Sequence, residues 1–470
     1  MHETMDSRSA LEAFRTPRIA FTVAIALAAA VWVGLSGGSG GDVAWILSIT
    51  VFCISLWVMT PIPPAYTGLI GIGLIAVTFS TELALTGFQK PATWLIGFGL
   101  LMGEATRRSG LANWAGTRIT ARTVSESAET QPIQTYRRLL LALSVGAHAL
   151  AFLIPSSLVR ILIIAPILTE TGELFDDRSA RVGLFLGPAF ATFYGSAGIL
   201  TADLPNIMLT GFGDSIADHP VSWTEWLYHM YPVMGLTRVL LVCAVVYYLF
   251  RPDQSASVDV PTETGGDASR TERRMLAALL VGAAIWATDF IHGFHPVVGA
   301  VVVVVLAFLP RVGVTDFESV GETDFSILFF IAAVFAIGDG LAYTGFTEDA
   351  ADYLLALVPT DAPLAIILSV VFGITFILTF LMEGLAVASV LTPVLIPYAE
   401  AVGLPLTPVL MSETLALSSY FFPYQSAVLV VILAEGTADT GDVIRTTVAC
   451  SVATIVLLLP LQLGVFTLLY

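Results

Sequence analysis

HALAFLIPSSLVRILIIAPIL, residues 148–168, and FYGSAGILTADLPNIMLTGFG, residues 193–213, decide the fold. Both are apolar enough for lipid, and both carry helix breakers inside them. In the first, Pro155-Ser156-Ser157 separates an approaching arm, 139–154, from a departing arm, 158–168. Each arm is shorter than the roughly 20 residues a spanning helix needs. Two short arms about a Pro-Ser-Ser tip predict a re-entrant hairpin over 139–170, leaving the membrane on the side it entered. In the second stretch, Gly195-Ser196-Ala197-Gly198 and Asp203-Leu204-Pro205-Asn206 interrupt a segment, 181–212, otherwise long enough to cross. Hydrocarbon offers nothing to the N–H and C=O groups freed at a break, so breaks persist only where protein or a cavity receives them. Paired interrupted helices near mid-depth are how secondary transporters build solute and ion sites. The chain reads as a transporter.

Composition agrees. The 470 residues are 56% hydrophobic and 12% charged, with a mean hydropathy of +0.85. Length alone would suggest two or three soluble domains; the composition is that of an all-α polytopic membrane protein. The formal charge of −17 comes mostly from loops and tails, and nothing points to a nucleic-acid partner. Cys53, Cys243 and Cys450 lie far apart in apolar runs and suggest neither a metal cluster nor a disulfide framework. The segment 19–35 is taken as a first span rather than a signal peptide.

Further spans are legible at 43–60, 64–80, 93–108, 230–250, 274–291, 296–310, 325–343 and 444–468. A second hairpin is expected at 363–398 and a second broken span at 407–433, giving about eleven crossings and two re-entrant elements. The expected organisation is a cytoplasmic tail at 1–18, scaffold parts at 19–125 and 274–345, and transport parts at 136–250 and 360–470. A cytoplasmic linker occupies 251–273. Placing the N-terminus in the cytoplasm leaves Lys90 as the one basic residue outside, and only Arg160 and Arg238 within the membrane. The C-terminus is then extracytoplasmic, in a cell-membrane protein. Arg137/Arg138 and Arg178/Arg181 share a side only if the first hairpin re-enters. The chain also repeats: Gly103-Glu104 matches Gly338-Asp339, and Pro166 matches Pro393. Five crossings per repeat place the halves in opposite orientation, an arrangement that suits alternating access.

The candidate site residues are Ser156, Ser157, Arg160, Thr201, Asp203, Asn206, Glu383, Ser418 and Gln425. A charge at mid-membrane costs at least about 2.5–3.5 kcal/mol, so Arg160 either forms a structural ion pair or serves the site. Asp203 either caps the second half-helix or faces the solute. Glu383 aligns with Ser156 and is either a site group or one facing the outer vestibule. Ser156 and Ser157 either satisfy a turn or, at a half-helix N-terminus, suit an anion. Gln425 takes roughly the place of Asn206, at a break containing Ser418. Tyr420 and Tyr424 either pack or serve the break, His148 is either a satisfied polar residue or a proton relay, and Glu104 and Asp339 fit a helix-end or loop role ahead of transport chemistry. No zinc-peptidase, nucleophile-elbow, Walker or dinucleotide signature is present in the sequence. The reading is a non-enzyme driven by an ion gradient, with an oxyanion exporter or cation/proton antiporter as the alternative, and an ion channel after that.

Together these features resemble the divalent anion/sodium symporter family of dicarboxylate and sulfate carriers. LWVMTPIPPAYTGLI, residues 56–70, is similar to the family's Trp-Thr-Glu-Ala-x-Pro segment, with Thr60-Pro61 in place of Glu-Ala. Ser156-Ser157-Leu158 stands where the family has Ser-Asn-Thr ten residues before a Pro. Gly195-Ser196-Ala197 and Ala202-Asp203-Leu204-Pro205-Asn206 resemble its Gly-Gly-Thr and Gly-Thr-Pro-Pro-Asn. The second Ser-Asn-Thr is not recognisable in Glu383-Gly384-Leu385. The resemblance implies a homodimer, an elevator motion of the transport domain, and a small anionic substrate bound between the tips. It also implies sodium at the tips, near Ser156, Asn206 and Glu383. Because both tips have changed, Na⁺ and H⁺ both stand as coupling ions, with no other cofactor.

Overall fold

A computed structural model describes residues 17–36, 41–59, 63–124, 131–260, 266–357 and 362–470. All but the last two positions of the expected tail, and Thr60-Pro61, lie outside the described residues. The described chain is helical throughout its regular structure. Helices α1 (Pro17–Ser36), α2 (Asp42–Met59), α3 (Pro64–Thr78), α4 (Pro91–Ser109) and α5 (Leu111–Thr123) come first. Then follow α6 (Pro132–Ala149), α7 (Ser157–Gly172), α8 (Arg178–Tyr194), α9 (Leu204–Ala217) and α10 (Trp223–Leu249). The second half has α11 (Arg270–Ala287), α12 (Val297–Ala307), α13 (Ser326–Tyr343), α14 (Phe346–Leu357), α15 (Leu364–Thr379), α16 (Gly384–Ala401), α17 (Leu406–Leu417) and α18 (Ala427–Ala434). The last is α19 (Thr440–Leu469). Among the described residues α10, α13, α16 and α19 are individually long and apolar enough to cross a membrane, and several shorter apolar helices accompany them.

Polar residues set the ends. Asp177 accepts the Ala180 amide at 2.9 Å and starts α8, and Asp439 accepts Asp442's at 2.8 Å and starts α19. Ser269 and Glu272 form a capping box on α11. Gly110, with φ of 76°, makes the left-handed turn between α4 and α5 that a side chain would resist.

The two arms of the first interrupted stretch fold back on each other along α8. Tyr136 Oη would lie 2.1 Å from a Cβ placed on Gly183, and Leu140 abuts Gly187, so α6 runs parallel to α8. Arg160 meets Thr192 near the end of α8, whereas Gly172 packs on Arg181 near its start, so α7 runs the other way. The outer ends of both arms therefore share one end of α8. In the second half α16 returns along α17 in the same manner, with Gly384 beside Leu417 and Thr392 beside Glu413.

One core joins α6, α7, α8 and the latter part of α10 to α18 and α19; another joins α2 and α3 to α13. The start of the expected linker is not free-running. Ser257 N donates to Asp176 Oδ1 at 2.8 Å and Asp259 N to Leu174 O at 2.8 Å, tying it to the turn between α7 and α8. The three cysteines are buried and unbridged.

Candidate functional site

Pro155 ends the turn that follows α6, and Ser156 sits at φ 85° and ψ 107°, an unusual backbone for a residue with a side chain. Its hydroxyl faces the Val159 amide at the start of α7. The first break follows α8. A short 3₁₀ turn, Gly195–Gly198, leads to extended Ile199, a second turn, Leu200–Ala202, and extended Asp203 before α9. It packs on a π-helical stretch of α10, Tyr231–Thr237, where Pro232 disrupts the α-helical ladder.

Arg160 holds these pieces together. Its Nε donates to Thr192 Oγ1 at 2.9 Å. One terminal nitrogen donates to Ile154 O at 2.7 Å and Ala202 O at 3.0 Å. The other donates to Thr192 O at 3.2 Å and to the Ser196 hydroxyl. A guanidinium has five N–H donors, so each has a partner. The sequence left an ion pair and a solute contact open for Arg160. The fully buried side chain staples the first tip to the first break through neutral oxygens. Asn206 works in the same place, donating to Ser196 O at 3.0 Å and Ile199 O at 2.9 Å.

The second break has its own arginine. Arg238 of α10 donates to Ser418 Oγ at 2.9 Å and Ser418 O at 2.6 Å, and its guanidinium lies 4.8 Å from the Tyr194 ring. Gln425 accepts the Phe421 and Phe422 amides at 2.6 and 2.8 Å and donates to Thr379 O at 2.9 Å. Ser451 donates to Tyr420 O at 2.6 Å and Thr447 to Phe421 O at 3.0 Å. Backbone groups released by the break are thus received by protein, as an apolar surrounding demands.

Between the tips and breaks lies a cavity of about 440 Å³. Ser156, Ser157, Asp203, Glu383 and Gln425 line it, and Tyr420 joins them. Ser157 Oγ donates to Asp203 Oδ1 at 2.6 Å, and Glu383 Oε2 accepts the Leu385 amide at 2.8 Å. The mouth carries Glu104, Arg107, Glu322 and Asp324. Arg160, Thr201, Asn206 and Ser418 stand behind the wall. Thr201 Oγ1 accepts the Trp223 indole N–H at 3.1 Å. Asp339, matched to Glu104 by the repeat, takes a Lys90 hydrogen bond at 3.2 Å on the scaffold side.

Two features are not evident from the sequence pattern alone. Arg238 reads there only as a charge in the membrane, because its partner Ser418 lies 180 positions away. Glu413 belongs to no break or tip, although an acid inside LTPVLMSETLAL (residues 406–417) is a signal in itself. It is fully buried, accepts the Thr392 hydroxyl at 2.9 Å, and leaves Oε2 without a partner.

Residues 19–469 match the family described as the sodium:sulfate symporter transmembrane region. The L-tartrate/succinate antiporter of Shigella dysenteriae serotype 1 is 25% identical over 427 residues, covering 82% of this chain and 84% of that one. The L-tartrate/succinate antiporter of Escherichia coli K12 gives the same identity and coverage. A membrane protein of Cupriavidus necator is 26% identical over 391 residues, 76% of this chain and 73% of its own. With the match running over nearly its whole length, this chain belongs to the sodium:sulfate symporter family of membrane transporters.

Proposed function

We propose that the protein is a secondary carrier of small dianions, dicarboxylates foremost, working by alternating access in the cell membrane. The observation that carries this is the cavity. Both repeats supply it with a tip and a break, so one solute would touch every element that interrupts the fold. Its volume of about 440 Å³ lies in the range of small-molecule sites and admits a four-carbon dicarboxylate. The mouth beside Glu104 and Arg107 is the cytoplasmic end by the charge count, which makes this the inward-open state. In this reading 139–170 and 363–398 re-enter the membrane, about eleven segments cross it, and α6–α10 with α15–α19 move as a body inside a homodimer. The antiporter names of two relatives favour exchange of one dianion for another over net symport.

The test is counterflow in proteoliposomes. Vesicles loaded with unlabelled succinate should accumulate labelled succinate or L-tartrate, and should do so less or not at all when loaded with chloride. Absence of exchange for succinate, L-tartrate and sulfate at every pH and Na⁺ concentration would overturn the proposal. A flux far beyond carrier turnover would instead identify a channel.

A further inference from the structure

The cavity is walled on one side by a single face of α4. Ile96, Leu100, Gly103, Glu104 and Arg107 line it, and their spacing of three and four residues sets them in one stripe from depth to mouth. Gly103 is where that stripe meets the first tip, packed against Val159. Arg107 stands one turn further out, and it is the one basic residue among those lining the cavity. Arg160 and Arg238 add positive field from behind the wall, where their bonded N–H groups turn to protein oxygens. Their charge reaches a solute in the cavity; their donor forks face elsewhere.

The two edges of the Arg107 guanidinium differ. Its Nε donates to Glu104 Oε2 at 3.0 Å and its Nη2 to Glu104 Oε1 at 2.7 Å, so the inner edge is a closed fork on a carboxylate of its own helix. The outer edge, Nη1 with the second N–H of Nη2, has no partner among the described residues, and the side chain is 59% exposed. Such an edge is a planar pair of donors, the shape that receives a carboxylate bidentately. Its orientation is fixed from behind. Glu104 is only 13% exposed and also accepts Arg108 Nε at 2.6 Å, and Arg108 reaches on to Glu322 in the turn ahead of α13. Arg108 by itself therefore serves both acids, and Asp324, the third acid at the mouth, accepts the Ser326 amide at 2.8 Å. What Arg107 adds is an unfilled, carboxylate-shaped edge at the opening of the cavity.

We propose that Arg107 is a solute-binding residue of the cytoplasmic mouth. Its outer edge takes one carboxylate of a dicarboxylate as a bidentate ion pair, holding that end at the opening while the other carboxylate leads inward. α4 lies outside the body formed by α6–α10 and α15–α19, so the contact serves the cytoplasmic face alone and is left behind when that body moves. This rests on the carrier reading above, and the experiment separates the two.

Everted and right-side-out membrane vesicles, loaded with unlabelled succinate, present the cytoplasmic and the outer face to labelled succinate, and KM is measured for each at low ionic strength. Arg107→Gln should raise the cytoplasmic KM about tenfold, as loss of two bonds to a charged group predicts, and leave the outer KM unchanged. Arg107→Lys keeps the charge without the fork, so its cytoplasmic KM should stay about threefold or more above wild type. A purely structural role would move both faces together or lower the amount of carrier in the membrane, which immunoblotting reads. If Arg107→Gln does not reach the membrane, Arg107→Lys must still show the one-sided rise. An unchanged cytoplasmic KM in Arg107→Gln, full recovery in Arg107→Lys, or an equal rise on both faces overturns this inference and leaves the carrier reading standing. No exchange of succinate, L-tartrate or sulfate by wild-type vesicles of either orientation overturns both.

Discussion

Replacing Arg160 by lysine tests the staple with the charge retained. Both side chains carry one buried positive charge, so the burial cost is roughly common to wild type and variant. What changes is the donor set. The guanidinium serves five acceptors on Ile154, Thr192, Ser196 and Ala202; an ammonium has three N–H groups and cannot reach both sides of the fork. At least two bonds are lost. Bonds to a charged group contribute about 1.5–3 kcal/mol each, so Arg160→Lys should destabilise the protein by about 3–6 kcal/mol. The orphaned acceptors should be Ile154 O and Ala202 O, because the Ser196 hydroxyl can keep its own bond to Thr192 O. Denaturant unfolding in detergent, followed by tryptophan fluorescence, measures the loss. An arginine that contacted the solute would behave differently: Lys would preserve the fold and alter only the affinity. Wild-type stability with weakened succinate binding in Arg160→Lys would refute the staple.

Ser156→Gly should raise stability by about 1 kcal/mol, since relief of an outlier backbone worth about 1–3 kcal/mol outweighs the glycine's extra chain entropy; Ser156→Val should lower it, and the same unfolding assay reads both. Gly103→Val should abolish exchange and cost about 1–3 kcal/mol, because even a Cβ there would lie 2.1 Å from Val159 Cγ1. Cysteines at Ile133 and Arg178, in a chain lacking Cys53, Cys243 and Cys450, should both be labelled by impermeant maleimide from the same side of the membrane. Labelling from opposite sides would remove the re-entrant hairpin.

The breaks were legible because their causes are local and clustered: Pro155 beside two serines, the Gly195–Gly198 run followed by Pro205, and Pro423 beside Ser418 and Ser419, whereas single prolines at 166, 188, 393 and 397 stay inside their helices. Asp203 and Glu383 stand out in the sequence because each carboxyl sits at a break or tip of an apolar run, whereas Glu413, inside the unbroken helix Leu406–Leu417, does not. What those groups bind was not legible. The acceptors of Arg160 are backbone carbonyls and hydroxyls, which any sequence supplies everywhere, and only the fold selects which of them converge. Asn206 and Gln425 illustrate the same limit. They occupy corresponding breaks, yet Asn206 bonds within its own break, while the longer Gln425 crosses to Thr379 in the arm before the second tip. One methylene of length separates a local clamp from a link between elements, and spacing alone does not distinguish them.

The two buried arginines also indicate which parts of the molecule hold together. Arg160 joins tip to break within the first half, but Arg238 reaches both halves at once, donating to Tyr194 O at 3.3 Å as well as to Ser418. Phe193 stacks on Tyr420 at 4.8 Å across the same junction. The ends of α8 and α17 are therefore fastened to each other by charge-assisted bonds and ring contact in a place with little water to compete. Where α4 and α13 meet this unit the chemistry changes. Gly99 faces Pro155, Gly103 faces Val159, and Gly338 faces Phe212 and Pro393, bare backbone against apolar side chains. Dispersion holds such a surface closed but has little directionality, so sliding along it breaks no directional bond at those contacts. Directional bonds thus gather around the cavity, and apolar contacts against bare backbone line the glycine faces of α4 and α13, the two helices that the sequence repeat pairs through Gly103-Glu104 and Gly338-Asp339.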